Sequence, residues 1–169
     1  MERQTSLPKL NLDSKETGCC PKFDPTAWEE KLFEIEELPM VRATGRNFLH
    51  IPLDIGKVMT RTQQAIRQAG KDVQDNYLIL SRDLSPWKSE HLFLTTGKVE
   101  GMDNQSFGGL FLTKVYDGGF NEVPKWIAES EAFAQSQGFK AKSHYCFYTT
   151  CPKCAKRYGH NYVVVLTEV

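Results

Sequence analysis

The sequence predicts an α+β fold of two tandem strand-helix-strand-strand repeats, which form one antiparallel sheet with two helices packed on one face. Three observations lead to this prediction. Alternating apolar and polar residues indicate strands, apolar residues at three-and-four spacing indicate two helices, and the same order of elements occurs twice. A length of 169 residues suits a single domain.

Strands and helices are predicted from local patterns. Strand patterns occur at residues 31–42, 41–51, 77–80, 91–95, 109–116, 145–149 and 162–166. Helix patterns run through residues 55–69, after the start signal Pro52, and through residues 123–134. Gly70 and Gly138 follow the two helix patterns, and glycine at this place suits a helix C-terminal cap.

The two halves have a glycine and a tyrosine at the same spacing. Gly70 lies seven positions before Tyr77, and Gly138 lies seven positions before Tyr145, which indicates duplication. The predicted divisions are an N-terminal arm at residues 1–30 and a single domain at 31–169, with repeats at about 41–97 and about 107–169. Residues 1–24 show neither a helix nor a strand period, so we expect no core element from them.

Composition and charge exclude several classes of function. Lysine plus arginine number 21 and aspartate plus glutamate number 21, so no positive net charge favours nucleic acid as a partner. No apolar run approaches the 18 or so residues of a membrane span, so no membrane partner is expected. The first residues lack the pattern of a secretory signal, and we expect a cytoplasmic protein.

Four of the five cysteines form close pairs, namely Cys19 with Cys20 and Cys151 with Cys154. Two thiolates separated by two residues can face one tetrahedral ion at about 2.3 Å. The neighbouring Arg157 adds positive charge, which favours thiolate over thiol. All four cysteines are therefore candidate zinc ligands.

Other uses of the cysteines remain open. Adjacent side chains in extended backbone point in opposite directions, so Cys19 and Cys20 can share an ion only if the backbone is distorted. His160 or His144 could replace one of them. A redox or nucleophilic dithiol and purely structural thiols are the alternatives.

Aromatic residues are the second candidate site. A groove between the two helices, or between helices and sheet, is a natural ligand site. Seven aromatic residues are predicted to border it: Trp87, Phe107, Tyr116, Phe120, Trp126, Tyr145 and Tyr148. Trp126 suits core packing equally well, and Tyr145 and Tyr148 have opposite strand parity.

Charged residues complete the candidate set. Glu100 and Glu122 are expected near the pocket mouth, where a carboxylate could pair with a cationic ligand, and solvated loop positions are the alternative. Lys153, Lys156 and Arg157 are predicted to form a basic turn. The chain has no glycine-rich phosphate loop, no Gly-x-Ser-x-Gly elbow and no His-Glu-x-x-His helix.

Two sets of motifs resemble known families. The segments KVYDGGF at 114–120 and YCFYTT at 145–150 resemble the GyrI-like (gyrase-inhibitory-protein-like) small-molecule-binding family. The segments GCCPKFDPTAW at 18–28 and TCPKCAKRYGHNYVV at 150–164 resemble uncharacterised bacterial proteins labelled hydrolases.

The resemblance implies a concave, aromatic-lined pocket for flat, apolar or cationic molecules. Some relatives hydrolyse cyclopropane-bearing natural products, using a glutamate on the penultimate strand and a tyrosine in the turn before the second helix. This sequence has Cys146 at the first position and Phe120 at the second, so neither role carries over.

The function predicted from these observations is binding of a small hydrophobic or aromatic molecule in a pocket between the two repeats. A hydrolase or thiol-dependent enzyme of the GyrI-like family, using Cys146, Cys151 or Cys154, is the alternative. A zinc-stapled interaction module without ligand chemistry is the second alternative.

Overall fold

The computed structural model describes residues 1–169. They divide into two compact units, the terminal unit (Met1–Glu36 with Gly109–Val169) and the central unit (Glu37–Gly108). The strands are β1 (Arg3–Gln4), β2 (Lys31–Phe48), β3 (Ile51–Pro52), β4 (Ile79–Ser85), β5 (Lys88–Leu94), β6 (Asp103–Asp117), β7 (Ser143–Tyr148) and β8 (Tyr162–Glu168). The helices are α1 (Ile55–Gln68), α2 (Val123–Ser136) and α3 (Pro152–Tyr158), with 3₁₀ turns at Leu12–Ser14, Pro25–Ala27 and Phe120–Glu122.

The predicted mixture of helices and antiparallel strands is confirmed. Apart from the two-residue strands β1 and β3 and the 3₁₀ turns, the elements in chain order are β2, α1, β4, β5 and then β6, α2, β7, α3, β8. The patterns at residues 31–42 and 41–51 belong to one strand, β2, which ends at a tight turn where Leu49 and His50 have φ of 48° and 68°. None of the helices has the length and apolar character needed to cross a bilayer.

The central unit contains an antiparallel sheet in the order β2, β5, β4. Helix α1 packs on it because Val58, Thr62 and Ile66 form a buried stripe. Ile66 and the β5 residue Phe93 belong to one apolar cluster. Gly70 has a φ of 65°, as the cap prediction requires.

The terminal unit contains an antiparallel sheet in the order β6, β8, β7. Helix α2 covers one face, with Trp126, Ser130 and Ala134 buried. Trp126 packs in one cluster with Cys146 of β7 and Val163 of β8. The pattern at residues 123–134 thus predicts this helix correctly.

The N-terminal residues form part of the core of the terminal unit. Phe147 points to the face of β7 opposite Cys146, and its ring centroid lies 6.3 Å from Phe23 and 5.7 Å from Trp28. Leu10 and Phe23 are buried, so the prediction that residues 1–24 supply no core element is wrong. Single apolar residues in a polar segment have no periodicity, and their contacts are made far along the chain.

Helix α3 replaces the predicted basic turn. Lys153, Lys156 and Arg157 lie on this seven-residue helix, which begins at Pro152 and is capped by Gly159 with a φ of 75°. Two turns of helix are too short for the apolar period to emerge, although proline at the start and glycine after the end are recognised helix signals.

Gly45 on β2 provides a test of packing in the central unit. A Cβ atom there would lie 2.8 Å from Ser89 Oγ and 3.3 Å from Asp54 Oδ1. We expect Gly45→Ala to lower the free energy of unfolding by about 1–3 kcal/mol because the added methyl group would overpack the site.

Gly56→Ala is the control, since no atom lies within 4 Å of its Cβ position. Alanine there should be neutral or stabilising by up to about 1 kcal/mol. Urea unfolding measures the stability of both variants, and an equal change in the free energy of unfolding for Gly45→Ala and Gly56→Ala would contradict the prediction.

Candidate functional site

The four paired cysteines meet in the terminal unit. The sulfur atoms of Cys19, Cys20, Cys151 and Cys154 all lie within 4.8 Å of one another. The Cys19 sulfur lies 3.7 Å from that of Cys20 and 4.0 Å from that of Cys151. Four sulfurs bound to one ion at about 2.3 Å form a tetrahedron with edges of about 3.8 Å. The cluster therefore has the spacing of a tetrathiolate metal site.

Local backbone conformation brings each pair of thiols to the cluster. Residues 16–20 form turns and bends, and Gly18 has a φ of 68°. Because this backbone is not extended, Cys19 and Cys20 can face the same point. Cys151 is the N-cap residue of α3 and Cys154 lies in its first turn, so both thiols are at one end of that helix.

Polar groups surround the sulfur atoms. The backbone N–H of Cys151 donates to the Cys20 sulfur at 3.3 Å, and the Tyr158 hydroxyl donates to the Cys20 carbonyl at 2.7 Å. The Thr17 hydroxyl lies 3.2 Å from the Cys154 sulfur, and this hydrogen bond contributes most to lowering the pKa of the Cys154 thiol to about 6. Burial raises the pKa of the Cys20 thiol.

The histidines considered as substitute ligands have other neighbours. His160 Nδ1 lies 2.7 Å from an Asp117 carboxylate oxygen, and His144 Nδ1 lies 3.1 Å from the Thr167 hydroxyl. The fifth cysteine, Cys146, is buried under α2 and lies outside the sulfur cluster. The group assembled by the fold therefore consists of cysteines alone.

Several of the predicted ligand-binding aromatics are packed in the core of the terminal unit. Tyr116 stacks on Trp126 with centroids 5.3 Å apart and 12° between the rings. Trp126 is only 3% exposed, which favours the core alternative for this residue. Tyr145 is buried against Phe111 on the opposite face of β7 from Tyr148, as strand parity predicts.

Phe120 and Tyr148 form an accessible aromatic pair in the same unit. Their ring centroids are 5.9 Å apart, and Phe120 is 51% exposed. Glu122 lies two positions after Phe120 and accepts a hydrogen bond from the Gly119 backbone at 3.2 Å. This carboxylate caps the short helical turn before α2.

The remaining candidates lie in the central unit. Trp87 is 55% exposed and its ring centroid lies 5.6 Å from that of Phe48. Phe107 is buried and Glu100 is exposed. A cleft in this unit between α1 and the segment around Tyr77 has a volume of about 130 Å³, below the range of about 300–1,000 Å³ for ligand pockets.

A larger, open concavity lies beside α3 in the terminal unit. Its volume is about 520 Å³, and its lining residues include Asp117, Gly119, Lys156, His160 and Asn161. Burial raises the pKa of the Asp117 carboxyl, but hydrogen bonds from His160 and the Asn161 amide outweigh burial and lower that pKa. The concavity therefore contains an ionised carboxylate held in a fixed orientation.

The family model described as Bacterial hydrolase matches residues 10–169. The chain belongs to this bacterial hydrolase family. The match agrees with the predicted likeness to bacterial proteins labelled hydrolases. No curated protein matches the chain significantly.

Two solved structures share the fold of this bacterial hydrolase family member. An uncharacterised conserved protein from Listeria innocua has 13% identity and a TM-score of 0.61, covering 82% of this chain and 91% of its own. SAV2435 bound to tetraphenylphosphonium has 14% identity and a TM-score of 0.51, covering 82% of this chain and 92% of its own. At such identities the likeness shows the fold alone.

Sequence patterns miss two residues beside the sulfur cluster of this family member. Thr17 contacts Cys154 and also Tyr158, whose hydroxyl lies 3.4 Å from that of Thr17. Thr17 and Cys154 are 137 positions apart, so no local pattern could pair them. A hydroxyl two residues before a Cys-Cys pair is the one available signal, and it is weak.

Proposed function

We propose that this member of the bacterial hydrolase family is a cytoplasmic small-molecule-binding protein of the GyrI-like type, which holds a flat hydrophobic or cationic ligand. The observation that carries the proposal is the half-exposed Phe120 ring, paired with Tyr148. Phe120 directly follows Gly119, which lines the 520 Å³ concavity. Aromatic faces bind flat molecules and cations well.

The size of the concavity and the carboxylate at its wall support an organic cation as the first ligand class to test. Its volume lies within the range of about 300–1,000 Å³ for ligand pockets. The Asp117 carboxylate supplies negative charge at the wall. SAV2435, which shares the fold, has tetraphenylphosphonium bound. The order of strands and helices in the chain supports the GyrI-like assignment.

Binding is better supported than turnover. The hydrolytic members of the family that this sequence resembles use a glutamate and a tyrosine. This chain has Cys146 and Phe120 at those positions. Phenylalanine has no proton to exchange, and Cys146 is buried against Trp126. The residues present can hold a ligand against an aromatic face but do not supply that pair of catalytic groups.

Titration with tetraphenylphosphonium by isothermal calorimetry tests the proposal. We expect Phe120→Ala to weaken binding by about 1–2 kcal/mol, or about 5- to 30-fold in Kd, because the accessible aromatic face is lost. Trp87→Ala is the matched control, since this ring has similar exposure in the central unit, and we expect its Kd to be unchanged. Absence of binding to the wild type, or equal affinity of wild type and Phe120→Ala, would rule out this site.

We also propose that zinc is the inorganic cofactor. Soft thiolate donors favour zinc, whereas magnesium and calcium prefer oxygen. The sulfur spacing suits the tetrahedral geometry of zinc. In a reducing cytoplasm the cysteines stay reduced and so remain available to bind metal.

A further inference from the structure

We infer that the cysteine cluster is a closed structural zinc centre, in which the four thiolates fill every coordination position and the ion fastens the N-terminal segment to α3. This inference rests on the zinc cofactor proposed above and assigns its role. Catalytic zinc sites keep one position open for water or substrate, whereas structural sites are filled by four protein ligands. The two roles therefore differ in the number of thiolates bound.

The sulfur geometry indicates four ligands. All four sulfurs are mutually within 4.8 Å, so none is displaced from the group to leave a gap. The separations of 3.7 Å and 4.0 Å from Cys19 to Cys20 and Cys151 bracket the tetrahedral edge of about 3.8 Å. Cys154 is fully buried, which places one ligand on the protein side of the ion.

Hydrogen bonds to sulfur orient the ligands. The Cys151 backbone N–H points at the Cys20 sulfur, and the Thr17 hydroxyl lies against the Cys154 sulfur. Such outer contacts fix ligand orientation and disperse thiolate charge. Zinc with four thiolates would have a net charge of minus two, and Lys153, Lys156 and Arg157 put positive charge on the helix that bears two of the ligands.

The centre would join two segments that lie far apart in the chain. Cys19 and Cys151 are 132 positions apart in the chain. Residues 15–22 contain no helix or strand, and Phe23 then enters the aromatic core. A metal bond at Cys19 and Cys20 therefore replaces the regular backbone pairing that this segment lacks.

Metal content tests the ligand set. Native mass spectrometry of the full chain purified with reductant should show one zinc per chain. Each of the substitutions Cys19→Ser, Cys20→Ser, Cys151→Ser and Cys154→Ser should reduce zinc occupancy. The matched control, Cys146→Ser, removes the buried cysteine outside the cluster and should retain full zinc. A wild-type chain free of metal, or with a disulfide within the cluster, would overturn both the cofactor and its role.

Cobalt substitution separates a closed centre from an open one without relying on mutants. Cobalt takes the same tetrahedral thiolate site and gives it a visible absorption band. We expect that band to be unchanged by added azide or imidazole, because no position is free. A band that shifts with these ligands would leave the zinc proposal standing but would overturn the structural role.

Limited trypsin digestion tests the fastening of the N-terminal segment. Lys15 and Lys22 flank the cysteine pair and are exposed. Chelation of the wild type should accelerate cleavage at these lysines by about tenfold or more, since local opening governs proteolysis. Untreated Cys146→Ser should be cut at the wild-type rate. Unchanged cleavage after complete zinc removal would show that the ion does not hold this segment.

Discussion

Trp28→Ala should lower the free energy of unfolding by about 3–5 kcal/mol, the range for removal of a buried aromatic ring. Trp28 is 2% exposed, and its ring centroid lies 5.7 Å from both Phe33 and Phe147. Alanine would leave a cavity between these two rings and that of Phe23, whose centroid lies 6.4 Å from that of Trp28. The Trp28 carbonyl also accepts a hydrogen bond from the buried Thr113 hydroxyl, so the backbone is held in place and can relax little into the cavity.

Urea unfolding at neutral pH, followed by far-UV circular dichroism, measures this change. Trp87→Ala is the control because that tryptophan is 55% exposed, and we expect a change within about 0.5 kcal/mol for it. A decrease in the free energy of unfolding of less than about 1 kcal/mol for Trp28→Ala would show that the N-terminal segment does not contribute to the core.

Glu90→Gln should have the second large effect, lowering the free energy of unfolding by about 2–4 kcal/mol at pH 7. The Glu90 side chain is 5% exposed and accepts from Arg42 Nε at 2.6 Å and from Arg82 Nε at 2.5 Å. Removing one partner of a buried ion pair costs about 3–5 kcal/mol. The two arginines are about a third exposed, and solvent screening therefore reduces the expected loss.

The Glu90 contribution should also depend on pH. Burial raises the pKa of this carboxyl, but hydrogen bonds from Arg42 and Arg82 outweigh burial and lower the pKa below its ordinary value. A carboxyl with a lowered pKa in the folded state stabilises the protein above its unfolded pKa, and this stabilisation is lost as pH falls through the folded pKa. The difference between wild type and Glu90→Gln should therefore shrink on acidification.

Unfolding at a series of pH values from neutral to acid measures this dependence. Glu34→Gln is the control, since Glu34 pairs with Arg3 in a salt bridge whose side chains are both about half exposed. We expect at most about 1 kcal/mol from that pair at any pH. A Glu90→Gln effect equal to that of Glu34→Gln would contradict the prediction.

The two longer helices could be predicted from the sequence because each buries a stripe with its own period. Ile66 and Trp126 both lie on such stripes, and Gly70 and Gly138 after them have φ of 65° and 81°. Helix α3 was missed because seven residues give no period. The core position of Phe23 was missed because its partner Phe147 is remote in the chain.

The candidate site was predicted in part. The sequence predicts all four cysteines as ligands, on the spacing of Cys151 and Cys154, although adjacent side chains such as Cys19 and Cys20 point in opposite directions in extended backbone. The bend at Gly18 removes that objection. Trp126 and Phe120 look equally suited to ligand contact, yet one ring is 3% exposed and the other 51%.

Local spacing was sufficient for the helix and strand types, the helix caps and the Cys-x-x-Cys pair, since these depend on neighbours a few residues away. Tertiary structure alone decided which thiols meet, which aromatic rings are accessible and that the N-terminal residues belong to the core. The meeting of the thiols depends on contacts between residues more than a hundred positions apart, such as Cys19 with Cys151. The burial of Trp126 likewise depends on packing against Cys146 of β7 and Val163 of β8, and no local pattern encodes such contacts.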